Sequence, residues 1–579
     1  MPAALNYWAY HALKRCRMHS HKILRITPPE PLLQNKFSKE LKVSKIVAQL
    51  LANRGVRDVD DAAKFLKVSP RHMLDPFSFA DMPLAVERIK RAASLKEKVM
   101  IFGDYDVDGI TSVALLKEAL ERLGIDALTY LPHRIKEGYG LNKNIAHIAK
   151  EKGVDLLITV DCGTSSHAEL EDLKRNNIDT IITDHHEPAT ADIPPAIAVI
   201  NPKLGGSYYP FRELAGVGVA FKLCQALFRD LLVEDLDLVS LGTIADSVPL
   251  TGENRVIAKE GLALIPKTKR MGLRKLIESA GIKAEKFSSM HIGFMLGPRL
   301  NASGRMDTAD TSLDLLLSKD SAEAEGLAKS LELHNRQRQK IEARIMDEAQ
   351  GLIDKEINFK EHKVIVIGKE DWHQGVLGIV ASKLADKFYR PAIVISLTDD
   401  MCKGSARSIK SFHIFDALLG CKDLLHNFGG HAHAAGLSIA RGNINDFRES
   451  INRLAHEKLS IEDLLPGVDI DMELSFADLN EDMIGELELL EPFGAGNPEP
   501  LFFTRSLMLK GQPQTMGRET MKFWATDGQT TIQAIGFGMS PLKESLLSAG
   551  SFDLIYTPRL DNWQGATGVI LEIKDIFFH

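Results

Sequence analysis

Three short acidic clusters hold the side chains of this sequence that are best suited to chemistry. Residues 103–109 read GDYDVDG, residues 161–163 read DCG and residues 184–186 read DHH. A fourth acid, Asp246, lies in the apolar stretch 241–250. Two carboxylates about 4 Å apart repel each other by about 1 kcal/mol even in water, so a group of them needs cations. Aspartate with neutral histidine suits Mn²⁺ better than Ca²⁺, and Mg²⁺ is an alternative where oxygen ligands predominate.

Each cluster directly follows a short apolar run that is typical of a buried strand. The runs are Val99–Phe102, Leu156–Val160 and residues 180–183, and helical stretches separate them. This alternation predicts a parallel α/β sheet. A single aspartate after a strand is usually a turn or helix-capping residue. Three clusters that each directly follow a strand indicate a ligand site instead. The carboxyl ends of parallel strands meet at one edge, which is where open α/β sheets bind ligands. The sequence therefore predicts a metal site at that edge.

The segments GDYDVDG, VDCG, TDHHEP and GTIADSVPL resemble the four signature motifs of the DHH phosphoesterase superfamily, in order, between residues 99 and 250. The resemblance implies two divalent cations, Mn²⁺ or Mg²⁺, with Asp161 as the bridge between them. Phe102 stands where many members have a histidine, and Asp104 is our candidate replacement. The predicted metal ligands are Asp104, Asp106, Asp108, Asp161, His185 and Asp246.

The reaction that this resemblance implies is hydrolysis of a phosphodiester. The superfamily places the residue equivalent to His186 near the scissile phosphate, where an imidazolium stabilises charge or protonates a leaving oxygen. We expect Asp184 to orient His185 from outside the ligand set. Water activated between two ions roughly 3.5–4 Å apart would displace the sugar oxygen in line and release a 5′-mononucleotide. The predicted catalytic residues are Asp161, Asp184 and His186.

Two further regions carry groups suited to holding phosphate. Residues 297–307 read GPRLNASGRMD and resemble the segment of RecJ-like nucleases that closes over the nucleic-acid backbone. Residues 404–408 (GSARS) and 429–436 (GGHAHAAG) resemble the DHH-associated domain of those nucleases. Arginine binds phosphate bidentately, and hydroxyl and amide donors suit oxyanions. The predicted substrate-binding residues are Arg299, Asn301, Arg305, Ser405, Arg407, Gly430 and His431. Trp372 and His373 either line the same cleft or pack in the interior.

The C-terminal part has short alternating runs with Gly and Pro turns, which predicts a small β-barrel. Residues 491–500 read EPFGAGNPEP and resemble the start of the oligonucleotide-binding (OB) barrel of RecJ-like nucleases. Surfaces that bind single strands combine cations with aromatic rings on which bases stack. Some aromatic residues must instead be core, and the sequence leaves open which ones. The candidates are Phe502, Phe503, Lys510, Arg518, Lys522 and Trp524.

Composition limits the choice of function class. The 579 residues are 44% hydrophobic and 26% charged with a formal net charge of -7, so any nucleic-acid site must be a local basic strip. The five cysteines form no C-x-x-C pair, which argues against a disulfide framework or a zinc site. No apolar run of the sequence approaches the roughly 20 residues of a membrane-spanning helix. Residues 1–29 are basic, and a disordered tail, a later start at Met18 or a transit peptide would each explain them.

The predicted fold class is α/β, with a parallel-sheet DHH domain, a long connecting helix, a second α/β domain and a C-terminal OB-type β-barrel. Residues 321–356 keep helical spacing, and some 30 residues at 1.5 Å each span about 45 Å, enough to bridge two domains. The predicted regions are an N-terminal extension disordered at its start (1–43), a helical lead-in (44–90), the DHH catalytic domain (91–260), a helical region with the long helix (261–356), the DHH-associated domain (357–460) and the nucleic-acid-binding barrel (461–579).

The resemblance to RecJ-like nucleases implies a metal-dependent 5′→3′ exonuclease that degrades single-stranded DNA to 5′-mononucleotides in DNA repair and recombination. The polarity follows from the resemblance alone. We expect a cytoplasmic monomer without membrane association. Its predicted partners are single-stranded DNA and, beyond it, a helicase and a single-strand-binding protein.

Two other functions are compatible with the same motifs. A nanoRNase or cyclic-dinucleotide phosphodiesterase shares the DHH core and its associated domain but lacks the barrel and the bridging helix. A non-catalytic replication scaffold of the Cdc45 type descends from the same fold, but its metal-binding acids would be eroded. Here the expected metal ligands are all present, which favours an enzyme: Asp106, Asp108, Asp161, His185 and Asp246.

Overall fold

The structure is a computed structural model that describes residues 22–579 except positions 189, 191, 399, 518, 564 and 565, and only the backbone at 562, 563, 566 and 567. The predictions for residues 1–21 and for Arg518 lie outside the described residues. The chain divides into two compact units. One comprises Val68–Ser460 with Pro492–Asn497, and the other comprises Met1–Lys67, Ile461–Glu491 and Pro498–His579.

Helices and strands alternate from residue 99 to residue 183, whereas α-helices follow one another from residue 216 to residue 356. The helices are α1 (Pro31–Leu41), α2 (Lys45–Asn53), α3 (Val59–Leu66), α4 (Met82–Leu95), α5 (Val107–Arg122), α6 (Ile145–Glu151), α7 (His167–Arg175), α8 (Gly216–Phe228), α9 (Leu236–Ala245), α10 (Gly252–Leu264), α11 (Met271–Ser279), α12 (Gly297–Met306), α13 (Asp310–Leu317), α14 (Ser321–Glu356), α15 (Leu377–Phe388), α16 (Ile414–Gly420), α17 (Ile444–Lys458), α18 (Glu481–Leu487) and α19 (Lys543–Ser548). The strands are β1 (Ile23–Ile26), β2 (Val99–Phe102), β3 (Leu128–Tyr130), β4 (Leu156–Val160), β5 (Asp179–Thr183), β6 (Ala198–Ile200), β7 (Ile365–Lys369), β8 (Ala392–Ser396), β9 (Met401–Arg407), β10 (Asn427–Gly430), β11 (Ala434–Ala440), β12 (Gly467–Ile470), β13 (Met472–Glu473), β14 (Phe502–Met516), β15 (Thr520–Thr526), β16 (Thr531–Gly536), β17 (Phe552–Trp563) and β18 (Ala566–Phe578).

The first sheet carries the three acidic clusters. Its strand order is β3-β2-β4-β5-β6, and every pairing in it is parallel. β2 and β4 are buried along their whole length, as expected for strands that helices cover on both faces. Ile101 and Ile158 belong to one buried cluster, whereas Met100 and Leu157 belong to another. The predicted parallel α/β sheet is confirmed.

Buried helices hold the acidic groups at the end of this sheet. α5 begins directly after Asp106, whose side chain accepts hydrogen bonds from the amides of Asp108 (3.0 Å) and Gly109 (3.2 Å). Aspartate at such a position stabilises a helix start by about 1 kcal/mol. α8 and α9 are largely apolar and buried, and both pack against α5. The predicted metal-binding side chains are therefore carried by buried, well-packed elements.

The long helix α14 joins two α/β layers. It has 36 residues, and the side chain of Asp320 caps its first turn. At 1.5 Å per residue its length is about 54 Å. Leu331 packs in the core of the first sheet, whereas Ile345 and Ile353 pack in the core of the second. One helix thus fixes the two α/β domains within the same compact unit.

The second sheet has the order β10-β11-β9-β8-β7. β7 and β8 are parallel, and the other pairings are antiparallel. The GSARS segment lies at the end of β9, and GGHAHAAG spans β10, the turn and β11. Trp372 packs in this domain, with its indole Nε1 donating to Glu348 Oε2 at 2.7 Å. His373 accepts a hydrogen bond from Gly375 N at 3.2 Å, so it caps a short helical turn.

The other unit holds a closed β-barrel. β14, β15, β16, β18 and β17 pair in that order, and β14 also pairs with β17, which closes the ring. Closure removes the free strand edges that an open sheet would expose. The helices α1–α3 belong to this unit, and β1 pairs with β12. The predicted helical lead-in of residues 44–90 is therefore divided after Lys67, because its first part packs with the barrel unit.

Two general features follow from the described residues. Among them, no helix is both long and apolar enough to cross a bilayer. Cys162, Cys224, Cys402 and Cys421 are buried, and the described cysteines form no disulfide.

Candidate metal centre

The acidic clusters meet at the carboxyl edge of the first sheet, where the strand order placed them. Two groups of three side chains each bring their ligand atoms within 4.8 Å of one another. The first group is Asp104, Asp106 and Asp161, and the second is Asp108, His185 and Asp246. Asp161 also forms such a group with His185 and His186, and its Oδ1 is 3.2 Å from His185 Nε2. All six predicted ligands are thus together, with Asp161 between the two groups.

Asp161 has the features expected of a residue that binds cations. Its φ of +60° is uncommon outside glycine and costs of order 1–3 kcal/mol, so the surrounding structure must impose it. Its Oδ1, like Oδ1 of Asp104, is buried and accepts no hydrogen bond from the described residues. Unpaired buried carboxylate oxygens are costly unless a cation satisfies them. The oxygen and imidazole donors present here therefore fit divalent cations.

The backbone orients the second group. Gly216 N donates to Oδ2 of Asp108 and Val217 N donates to Oδ1, each at 2.7 Å. These amides belong to the first turn of α8, where the helix dipole favours a carboxylate. Gly216 is required there, because a Cβ would overlap the carboxylate of Asp161. His185 Nε2 lies 3.9 Å from Oδ2 of Asp108 and 3.7 Å from Oδ2 of Asp246.

Burial and mutual repulsion shift the pKa values of the cluster. Burial, followed by the charge of a neighbouring aspartate, raises the pKa of Asp108 to about 7. Burial and the charge of Asp108 raise the pKa values of Asp161 and Asp246 well above their usual range. Burial, together with nearby His186, lowers the pKa of His185 to about 3, which keeps this imidazole neutral and able to bind a metal. Cations that bind here would displace protons from the carboxyl groups.

Without added metal, the unit that contains this centre is expected to lose stability as pH rises through neutrality. Asp108 has a folded-state pKa of about 7, above its unfolded value of roughly 3.9, so the folded form binds more protons between these values and the free energy of unfolding falls with pH. Neutral His185 opposes this only below its usual pKa of about 6.5. Mn²⁺ should therefore raise the melting temperature more at pH 8 than at pH 6. Scanning calorimetry measures both shifts, and a larger shift at pH 6 would contradict the expectation.

Asp184 orients the ring of His186. Its Oδ1 lies 2.8 Å from His186 Nδ1, and its Oδ2 accepts a hydrogen bond from Thr164 N at 2.9 Å. Its contact with His185 is to the main-chain amide, at 2.7 Å. The expectation that Asp184 orients His185 is thus corrected, because the carboxylate folds over the two amides that follow it and meets the second ring. Burial alone would lower the pKa of His186, but the Asp184 carboxylate raises it above its usual value.

One of the predicted phosphate-binding residues of the second sheet, His431, faces His186. The ring centroids of His186 and His431 are 6.3 Å apart, with an interplanar angle of 20°. Gly430 has φ of +141°, and the turn that it allows is closed by His431 N donating to Ala434 O at 2.8 Å. Arg407 Nη1 lies 3.4 Å from Ser405 Oγ. The predicted residues of this domain are therefore brought to the same cleft.

A cluster of guanidinium groups lines the cleft. Burial, with the charges of Arg134 and Arg338, lowers the pKa of Arg305 to about 9. Burial and Arg134 also lower the pKa of Arg407. Because these cations repel one another in a partly buried site, a bound anion would stabilise them, and guanidinium groups bind phosphate bidentately. Arg305 is anchored by a hydrogen bond from Nη1 to Gly375 O at 3.0 Å.

Arg299, one of the predicted substrate-binding residues, has its partners outside this cluster. Arg299 Nε donates to Glu332 Oε2 of the long helix at 2.8 Å, and its Nη1 donates to Met295 O at 2.7 Å. Arg299 thus ties α12 to α14, which is a structural contact. Asn301 is half-buried on the same helix.

In the barrel unit, the aromatic candidates separate by exposure. Phe502 and Phe503 are buried in the core, whereas Trp524 is 47% exposed. Trp524 is the register partner of Lys510 on the adjacent strand β14, so an exposed ring and an exposed cation lie side by side. Such a pair has the chemistry of a single-strand stacking surface.

Family models match three parts of the chain. The model of the DHH family, N-terminal domain, matches residues 98–243, the DHHA1 domain matches residues 361–457 and the RecJ OB domain matches residues 470–575. The single-stranded-DNA-specific exonuclease RecJ of Bacillus subtilis is 39% identical over 553 residues, covering 95% of this chain and 70% of that protein. RecJ of Escherichia coli is 38% identical over 558 residues, covering 92% of this chain and 96% of that protein. The chain belongs to the RecJ family.

Solved structures of RecJ from Thermus thermophilus resemble almost the whole chain. The complex with Mn²⁺ has a TM-score of 0.82 at 29% identity and covers 96% of this chain and 80% of that one. The complex with Mg²⁺ has a TM-score of 0.76 at 27% identity, with coverages of 97% and 79%. The predicted fold class, with two α/β domains, a connecting helix and an OB-type barrel, is confirmed as that of the RecJ family.

The RecJ-family cleft also contains side chains that the sequence analysis missed. The Tyr139 hydroxyl lies 2.9 Å from His186 Nδ1 and 3.4 Å from Asp161 O. Arg134 stacks on Tyr105, with its guanidinium carbon 4.6 Å from the ring centroid. Both Tyr139 and Arg134 lie in the loop after β3, a fourth parallel strand that ends at the same edge. Recognition of that short strand would have identified the loop as part of the site.

Proposed function

We propose that this chain is a metal-dependent exonuclease that degrades single-stranded DNA and releases 5′-mononucleotides. The observation that carries the proposal is the pair of metal-binding groups joined by Asp161, which face the phosphate-binding side chains of the second domain. Relatives that match nearly the whole chain are named single-stranded-DNA-specific exonucleases. The side chains of this site are those that hydrolysis of single-stranded DNA by such an enzyme requires.

Each group would hold one divalent cation, Mn²⁺ or Mg²⁺, with Asp161 shared between them. When bound, such ions neutralise phosphate charge and lower the pKa of a water molecule so that it can attack. Asp104 would complete the first group, because Phe102, at the position of the usual histidine, is fully buried in the sheet.

The chain's own residues supply positioning and proton transfer. Arg305 and Arg407 would bind the phosphate, since an anion relieves their mutual repulsion. His186, whose pKa the carboxylate of Asp184 raises, would donate a proton to the leaving sugar oxygen. His431 would contact the same stretch of DNA backbone from the opposite wall of the cleft.

Further parts of the proposal rest on the resemblance to the RecJ family. They are the 5′→3′ direction, a role in DNA repair and recombination, a cytoplasmic location, a monomeric state, and partnership with a helicase and a single-strand-binding protein. Degradation of strands labelled at either end, followed over time, would reveal the direction.

A substrate panel tests the proposal. End-labelled single-stranded DNA, blunt duplex DNA, short RNA and a cyclic dinucleotide are incubated with Mn²⁺, with Mg²⁺ and with EDTA. We expect mononucleotides from single-stranded DNA with metal, none with EDTA, and little from the duplex, because the catalytic groups lie between two domains. Preference for short RNA or the cyclic dinucleotide would support the nanoRNase alternative, and binding without turnover would support the scaffold. Full activity after chelation would overturn the metal proposal.

Arg407→Ala is expected to weaken capture more than chemistry. Loss of one phosphate contact should raise KM and make the salt dependence of single-strand binding shallower by about one counterion, with a smaller effect on kcat. Steady-state kinetics and salt-titrated fluorescence anisotropy measure these quantities. Arg441→Ala is the matched control, because Arg441 lies in the same domain and pairs with Glu370 on the surface. Unchanged affinity and salt slope for Arg407→Ala would contradict the assignment.

A further inference from the structure

The glycine-rich loop Pro492–Asn497 belongs to the unit that contains the metal centre, although the chain on either side of it belongs to the barrel unit. The loop is closed on itself. Gly494 N donates to Asn497 O at 2.9 Å, Asn497 N donates to Gly494 O at 3.1 Å, and Asn497 Nδ2 donates to Pro492 O at 2.9 Å. Asn497 is fully buried. The loop is therefore a rigid element that the proposed reaction does not yet explain.

This loop packs closely against Pro249 and Leu250. Leu250 N donates to Ala495 O at 2.7 Å. Gly496 has φ of +69°, and a Cβ there would lie 2.9 Å from Pro249 Cβ. The approach is thus possible only without a side chain at this position, because real Cβ atoms do not come so close to a rigid ring.

The segment under the loop is the turn that carries Asp246. Asp246 ends α9, and Ser247 follows with φ of +62° before the chain reaches Pro249. A turn with such a backbone relies on outside contacts to keep its shape. The loop provides one of them three residues after the metal-binding carboxylate.

Asn254 holds the same turn from inside the domain. Its side chain is fully buried, and Nδ2 donates to Pro249 O at 3.1 Å and to Glu213 O. Glu213 lies just before Gly216 and Val217, whose amides hold Asp108. One amide therefore links the segment that carries Asp246 to the segment that orients Asp108.

We propose that the Pro492–Asn497 loop and Asn254 are positioning elements that set the affinity of the group Asp108, His185 and Asp246 for its cation. The proposal rests on the metal-binding role given above to these three residues. Metal sites require their ligands to be held within about 0.5 Å, and loss of residues that orient ligands typically costs about 10–100-fold in affinity. Displacement of Pro249 would move Asp246 away from His185, while the cleft that holds DNA would be unchanged.

Gly496→Ala tests the loop, and Gly281→Ala is its matched control. Gly281 has φ of +68°, but no described atom lies within 4 Å of its added Cβ, so the two variants share backbone strain and differ in the contact with Pro249. We expect Gly496→Ala to need about 10-fold more Mn²⁺ for half-saturation, by calorimetric titration and by the Mn²⁺-dependent rise in melting temperature. At saturating Mn²⁺, its kcat and its KM for DNA should approach those of the parent protein. Gly281→Ala should bind Mn²⁺ normally.

Two further variants make the result decisive. Asn254→Asp keeps the shape of the side chain but removes both donated hydrogen bonds, so it should show the same loss of Mn²⁺ affinity even if Gly496→Ala does not fold. Normal Mn²⁺ affinity in a folded Gly496→Ala or Asn254→Asp protein would overturn the inference. Asp246→Ala distinguishes failure of the positioning inference from failure of the proposed function. If Asp246→Ala binds Mn²⁺ normally, the ligand assignment itself is wrong, and the inference falls with it.

Discussion

Asp161→Ala is expected to lower turnover of single-stranded DNA by at least about 1,000-fold, beyond the roughly 10–100-fold typical of residues outside the ligand set. Asp161 lies in the first group with Asp104 and Asp106 and is 3.2 Å from His185 of the second group. Its removal would therefore disrupt both cation sites at once. The proposed capture groups Arg305 and Arg407 are untouched, so affinity for single-stranded DNA should change little.

Steady-state turnover and anisotropy on the same oligonucleotide, both at saturating Mn²⁺, provide the measurement. Asp172→Ala is the control, because Asp172 pairs with Arg175 on the surface of α7 and is 47% exposed. Near-normal turnover of Asp161→Ala with added metal would show that the two groups do not share this residue. Arg407→Ala should give the opposite pattern, with weakened binding and turnover that is largely retained at saturation.

The convergence of the predicted metal ligands at one sheet edge could be anticipated because it depends on a general rule. The runs before Gly103, Asp161 and Asp184 are apolar and short, and parallel strands end at a common edge. For the first domain, the strand pattern and the position of each acidic cluster after a strand were therefore enough to predict the location of the site. Asp246 could not be placed in this way, since it ends a helix and reaches the site through the packing of α9 against α5.

The partners of individual side chains were less predictable. Arg299 and Arg305 lie six residues apart on one helix, yet the first pairs with Glu332 and the second enters the cleft. The partners of these two side chains depend on how α12 is rotated against α14, and no local sequence pattern predicts that rotation. Likewise, the motif DHH alone does not predict which of the two histidine rings the Asp184 carboxylate contacts, because that contact depends on the conformation of the turn after β5.

In the barrel, too, the sequence predicts only part of the side-chain arrangement. Alternation predicts that Phe523 and Trp524 point to opposite sides of β15, and the structure buries the first and exposes the second. Which side becomes the core follows from closure of the ring through β14 and β17, whose pairing joins residues about 50 positions apart. The division of the lead-in after Lys67 has a similar cause, because α1–α3 pack with a unit formed mostly from the other end of the chain.

His186→Ala is expected to lower kcat by about 10²–10⁴-fold, the usual effect of losing a general acid. The Tyr139 hydroxyl and the Asp184 carboxylate both lie within 3 Å of His186 Nδ1, so Nε2 is the ring nitrogen that would carry the proton to the leaving oxygen. Because His186 also forms a group with Asp161 and His185, Mn²⁺ affinity must be measured in parallel. His147→Ala is the control, since His147 is exposed and pairs with Glu151 on the surface of α6.

The pH profile tests the same role through Asp184. Asp184 raises the pKa of His186, so the protonated acid is present below that raised pKa and is lost as pH rises through it. Asp184→Asn removes the charge but keeps the shape, so the alkaline limb of kcat should move to lower pH. In both proteins the acid limb of kcat depends on carboxyl groups that must lose protons to bind metal. Saturating Mn²⁺ minimises this contribution to the profile. An alkaline limb that stays in place in Asp184→Asn, or a kcat of His186→Ala within a few-fold of the parent, would show that a different group protonates the leaving oxygen.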